Sequence, residues 1–226
     1  MIVHNPYLGR KDVDQRIWNL LENFKLKKCS VPEDVTLVTW NNKEKPSILE
    51  KQLNSLNIKF HNLGTQFEYW NTNRNKPMSL SNYEIKTEYV MGLDSFDVKI
   101  VNDLSTIIDK FKTKKCEVMF GATTTIYPKC QVCKNESRLI EDTSPFCYLN
   151  SGTFIGKADF VKNLFSKLNY KCKKFPKSDQ YLIRKEYSKD NKNIKIDSSC
   201  LVFQISGALK YNIHDYVRVK NKKLMI

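Results

Sequence analysis

Two carboxylates stand three positions apart, at Asp94 and Asp97, where the apolar run of EYVMGLDSFDVKIV (88–101) gives out. In an open α/β sheet, ligands bind beyond the carboxyl ends of strands, so acidic residues at that point lie where a site is expected. Two such groups repel each other, and a divalent cation shared with an anionic ligand relieves the repulsion. Oxygen ligands select a hard ion, Mg²⁺ or Mn²⁺, and such an ion bridged to a diphosphate stabilises it as a leaving group. The plainer alternative is that Asp94 caps the following turn and Asp97 is solvated.

Other residues suit such a ligand. Trp40 and Trp70 lie in polar stretches where an indole either stacks on a base or packs half-buried. Lys76, just before Pro77, can neutralise a phosphate as a point charge. The segment NSGTFIG (150–156) flanks a strand-like core with two glycines, which lets backbone approach a ligand and equally serves a tight turn. Asp179 opens SDQYLIRKEY, where Ser178 or Asp179 also serves as a helix N-cap.

The elements that must position these groups alternate. Ile17, Leu20, Leu21 and Phe24 mark an amphipathic helix over 13–28. Val35, Leu37 and Val38 form a short core strand that runs into Thr39 and Trp40. Ser47 and Glu50 make a capping box for a helix carrying Ile48, Leu49, Leu53 and Leu56. IKFHNLG returns as a strand, so the order strand, helix, strand predicts a βαβ unit with parallel strands. After an irregular stretch, TQFEYWNTNRNKP, a helix is predicted around Leu80 to Lys86 and a strand over Tyr89 to Leu93. DLSTIIDKF reads as a helix, CEVMFGATT as a strand, and 127–147 as a long loop. YLNSGTFIGKADFVKNLFSKL gives a strand into a helix, SDQYLIRKEY a helix, and IKIDSS and CLVFQ two strands. No fixed-period repeat or linker interrupts the pattern, and residues 1–226 read as one domain.

The totals narrow the class. With 41% hydrophobic residues, 7 Gly and 7 Pro, the chain is of the folded globular kind. The net charge of +14 favours a phosphate-bearing partner or reflects a solvated lysine-rich surface. The N-terminal stretch has no apolar signal region and no run is long enough to span a membrane, so a cytoplasmic location is expected. Seven cysteines, an odd number, point to reduced thiols. Cys130, Cys133 and Cys147, with Cys116, Cys172 or Cys200, could form a zinc set, but the spacing matches no strong finger pattern. Asn135 begins a glycosylation sequon to which no role is assigned without a signal.

The blocks EYVMGLDSFDVKIV, FCYLNSGTFIGKADFV, SDQYLIRKEY and IDSSCLVFQISGAL, in that order and spacing, resemble the glycosyltransferase domain of procollagen lysyl hydroxylases and their bacterial and viral relatives. The resemblance covers roughly 35–209 and implies the GT-A fold, an α/β arrangement with a mixed, mostly parallel central sheet flanked by helices. It implies a hexose transferase that takes a UDP-sugar donor with Mn²⁺ or Mg²⁺ and a protein hydroxylysine-type or glycan acceptor. By the same resemblance, Asp94 and Asp97 hold the metal, and Phe96 lies near the uracil. Thr39 contacts the nucleotide, and Trp70 and Lys76 take substrate-binding places. Asn150, Ser151 and Gly152 form the sugar-side turn, and Asp179 is the residue important for transfer. The family's third metal ligand is a histidine in a VHGNG-like segment after the region matching FQISGAL, and this chain has no such segment there. His214 falls before the expected place, and His4 lies at the other end in IVHNP, so neither is assigned. A basic nucleic-acid-binding module, or a GT-A domain that binds its nucleotide-sugar without turnover, are the alternatives; the former lacks any recognised motif, and nucleic acid is not the expected partner.

Overall fold

The computed structural model describes residues 1–4, 23–129, 131, 135–140, 144–168, 178–205, 218–220 and 223–225. The helix expected over 13–28 and the cysteines Cys130, Cys133 and Cys172 fall mostly or wholly outside these, as does His214. The strands are β1 (Ile2–His4), β2 (Val35–Trp40), β3 (His61–Asn62), β4 (Tyr89–Asp94), β5 (Val98–Ile100) and β6 (Val118–Thr123). They continue with β7 (Tyr148–Lys157), β8 (Ile194–Ile196), β9 (Phe203–Ile205), β10 (Arg218–Lys220) and β11 (Lys223–Met225). The helices are α1 (Ile48–Ser55), α2 (Thr72–Asn82), α3 (Ile107–Lys112), α4 (Ala158–Lys167) and α5 (Asp179–Tyr187).

Six strands form the main sheet in the order β3-β2-β4-β7-β6-β8. β2 runs parallel to β3 and β4, β7 is antiparallel to both its neighbours, and β8 is parallel to β6. The sheet is therefore mixed, with helices on both faces, as expected for a GT-A-type glycosyltransferase domain. A second sheet, β5-β1-β9, places the first strand of the chain between two later ones.

Burial on both faces explains the continuous apolar runs of the central strands. Along β4, Val90 enters the core shared with α2, α4 and α5, while Tyr89, Met91 and Leu93 enter the opposite core, shared with α1, α3 and the small sheet. β2 divides in the same way, with Val38 and Trp40 on one side and Val35 and Leu37 on the other. Gly92 has a packing reason: a Cβ there would lie 2.3 Å from the Phe154 ring and 2.9 Å from that of Trp40.

The capping box at Ser47 and Glu50 is present. Glu50 also accepts from the Asn41 side-chain amide at 2.5 Å and from Asn62 at 2.9 Å, tying the start of α1 to the ends of β2 and β3. The helix expected around Leu80 to Lys86 begins earlier and ends at Asn82, with Pro77 inside it. The proline masked the start, but its missing donor breaks only one helical bond.

Candidate active site

β4 ends on Asp94, and Ser95, Phe96 and Asp97 form the turn into β5. Register places Asp94 opposite Trp40 at the end of β2, and Val98, next to Asp97, opposite His4 at the end of β1. Two chain segments, the end of β1 and the β4–β5 turn, thus deliver side chains to one point. One ligand atom each from His4, Asp94 and Asp97 lie within 4.8 Å of one another. His4 Nε2 is 3.4 Å from Asp97 Oδ1.

The set fits a divalent cation: two carboxylates and an imidazole converge. Space is made for it by Gly152, because a Cβ there would lie 2.1 Å from His4 Cε1 and 2.8 Å from Asp94 Oδ2. His4 reaches this point because β1 pairs with β9 in parallel, Ile2 opposite Phe203 and His4 opposite Ile205. β9 is in turn fixed by the fully buried Asp197, whose carboxylate accepts from the backbone N–H groups of Leu201, Val202 and Phe203 at 2.9, 2.7 and 2.8 Å.

Lys76, on α2, lies behind the carboxylates and is 3% exposed. Its ammonium donates to Asp94 Oδ1 at 2.9 Å and to the Ser151 carbonyl at 2.8 Å, and stands 3.6 Å from Asp179 Oδ2. It also sits 4.7 Å above the Trp40 ring. The electrostatics follow. Burial would lower the Lys76 ammonium, but Asp94 and Asp179 outweigh it and raise its pKa. Burial would likewise lower the His4 imidazole, yet Asp97 and Asp94 carry it above its ordinary value. The Asp94 carboxyl is raised, by burial first and by the charge of Asp97, against the pull of Lys76.

Lys76, Asp94 and Asp97 line a cleft of about 200 Å³ whose walls also include Trp70, Phe96 and Asp179, with His4 buried behind them. Phe96 is 46% exposed, and Trp70 is half-buried against Phe67. Asp179 begins α5, and the cap is Ser178, whose hydroxyl accepts from the Tyr181 N–H. Among the described residues Asp179 Oδ2 makes no hydrogen bond, and the Lys76 ammonium stands 3.6 Å from it.

Thr39 lies beneath the cleft, fully buried, its hydroxyl 2.8 Å from the Leu93 carbonyl and 2.6 Å from Ser95 Oγ. Trp40 is also in the core, its indole N–H donating to Ser79 Oγ at 3.0 Å. Asn150, Ser151 and Gly152 sit where β7 departs from its ladder. Phe120 of β6 faces Phe154, but the next residue, Gly121, faces Asn150. Asn150 Oδ1 accepts from the Gly152 N–H at 2.9 Å, closing the bulge on itself.

Sequence reasoning passes over three features. His4 is the first, and its only signal is the string IVHNP. The second is Gln180, beside Asp179. The third is a fully buried pair, Glu136 and Arg184, which grips Leu149 just before the bulge. Glu136 Oε2 accepts from the Leu149 N–H at 2.9 Å, and Arg184 donates to the Leu149 carbonyl at 2.8 and 3.1 Å. Among the described cysteines, Cys29, Cys116, Cys147 and Cys200 are free thiols, and burial raises Cys116 to about 11 and Cys200 to about 12. No described helix is long and apolar enough to cross a membrane.

Comparison with known proteins bears on the whole arrangement. A family model described as the PLOD GT domain matches residues 47–224. A procollagen-lysine,2-oxoglutarate 5-dioxygenase 1 of Gallus gallus is 30% identical over 125 residues, which is 53% of this chain and 16% of that protein. The chain thus spans a small part of the length of this relative.

Proposed function

The chain belongs to the PLOD glycosyltransferase domain family, and from that premise we propose that it transfers a hexose from a UDP-sugar to the hydroxyl of a hydroxylysine-type or glycan acceptor. The observation that supports this best is a His-Asp-Asp triad of metal-ligand types whose two aspartates line one cleft with two aromatic faces and a further carboxylate. His4, Asp94 and Asp97 would hold Mn²⁺ or Mg²⁺. When bound, the cation supplies the positive charge that makes a diphosphate a good leaving group.

The protein's own groups do the rest. Trp70 and Phe96 offer faces for the base, and the Asn150 to Gly152 bulge lets backbone lie close to the sugar. Lys76 adds positive charge beneath the diphosphate and holds Asp94 and Asp179 in fixed relation. In the transfer, the bond from the anomeric carbon to the phosphate oxygen breaks and one to the acceptor oxygen forms, with positive charge developing on the sugar ring. Asp179 either takes the acceptor's proton or stabilises that charge.

A panel of UDP-hexoses incubated with Mn²⁺, with released UDP as the readout, tests the reading. Release from one donor that stops on chelation is the expected result. UDP binding without release from any donor, with or without acceptors, would mark a binding domain instead. Asp179→Asn should lower kcat by roughly a hundredfold with little change in donor KM. Unchanged kinetics would remove Asp179 from the reaction.

A further inference from the structure

We infer that Gln180 is a positioning residue, whose single carboxamide locks the β7 bulge, the loop after β6 and the first turn of α5 into one wall of the site. The inference rests on the transferase reading above and deepens it. It starts from the ladder. Ser151 and Gly152 are paired in register with neither β4 nor β6, so their backbone groups must find partners elsewhere. Asn150 takes the Gly152 N–H, Lys76 takes the Ser151 carbonyl, and Gln180 Oε1 accepts from the Ser151 N–H at 3.1 Å.

Gln180 does more than fill a vacant acceptor. Its Nε2 donates to the carbonyl of Tyr127, in the segment that follows β6. A carboxamide donates from one end and accepts at the other at any pH. The residue is 8% exposed, so water does not readily replace either bond. Because Gln180 follows Asp179 directly in α5, the same two bonds set where the Asp179 carboxylate points. A carboxylate displaced by about 1 Å from the reacting atoms costs up to about a hundredfold in rate.

Gln180→Met keeps the length and removes both bonds. Gln180→Glu keeps the acceptor for Ser151 but, once ionised, turns a second acceptor toward the Tyr127 carbonyl; protonated, it recovers both bonds. The test measures, in the full chain, donor kcat and KM, Mn²⁺ affinity, melting temperature and amide hydrogen exchange over 124–128 and 149–153.

The Met variant should lose at least about tenfold in kcat, with donor KM and Mn²⁺ affinity within about twofold, and should lose protection in both segments. The Glu variant's activity relative to wild type should climb as pH falls; Asp179, its neighbour in the chain, and Lys76, which donates to the Ser151 carbonyl, are common to both proteins. Unchanged kcat in the Met variant overturns the inference, as does a loss that merely follows a fall in metal affinity or folding. If wild type turns over no donor, the transferase reading fails by itself. Gln180 is then judged by exchange alone, and unchanged protection at Ser151 and over 124–128 overturns its role.

Discussion

Glu136 and Arg184 are both completely buried, and their Nε to Oε1 distance of 3.3 Å does not by itself make the pair favourable. Burial outweighs the guanidinium and pushes the Glu136 carboxyl from 4.5 up to about 7. A carboxyl raised on folding favours the folded state while protonated. Its contribution is whole below about pH 4.5 and is lost as pH climbs through about 7, a change of roughly 3 kcal/mol. Glu136→Gln still offers an oxygen to the Leu149 N–H and does not titrate. Denaturant midpoints across this window should therefore fall with rising pH in wild type and flatten in the variant. None of this is legible from the sequence, where Glu136 is one acid in a polar loop. Asp94 and Asp97 are legible, because a carboxylate at the end of an apolar strand is a local pattern. His4 is not, because only the pairing of β1 with β5 and β9 carries it to them.

At the scale of elements, the strand and helix order from β2 to β9 is readable from periodicity and caps except for the short β5, as the capping box at Ser47 and Glu50 illustrates. The register shift between Phe120 and Gly121 is not, since nothing in either strand alone says which residues will go unpaired. The two glycines of NSGTFIG hint at close approach without saying to what. In the folded chain Gly152 faces His4 and Asp94, and a methyl group there must move one of them. Gly152→Ala should leave the far-ultraviolet spectrum intact yet weaken Mn²⁺ binding at least about tenfold, as read by calorimetry, since displacing even a supporting group costs that much. Undiminished affinity would mean that the metal is held elsewhere.

Over the whole molecule, the small sheet is the least readable part and the one on which the metal triad depends. Its middle strand comes from residues 2–4 and is hydrogen-bonded on both sides, Ile2 N–H donating also to the Val202 carbonyl at 2.9 Å. Deleting residues 1–4 should abolish Mn²⁺ binding and leave β5 and β9 with exposed edges, seen as a lower melting temperature. A synthetic peptide spanning residues 1–10, added in trans, should restore part of both. The same pairing orders events during synthesis. The histidine is made well before a strand it lies beside, Phe203–Ile205. A nascent chain can therefore pair Ile2–His4 on one side only, with Val98–Ile100, until Phe203–Ile205 has been made, and the ion site gains its full support only then.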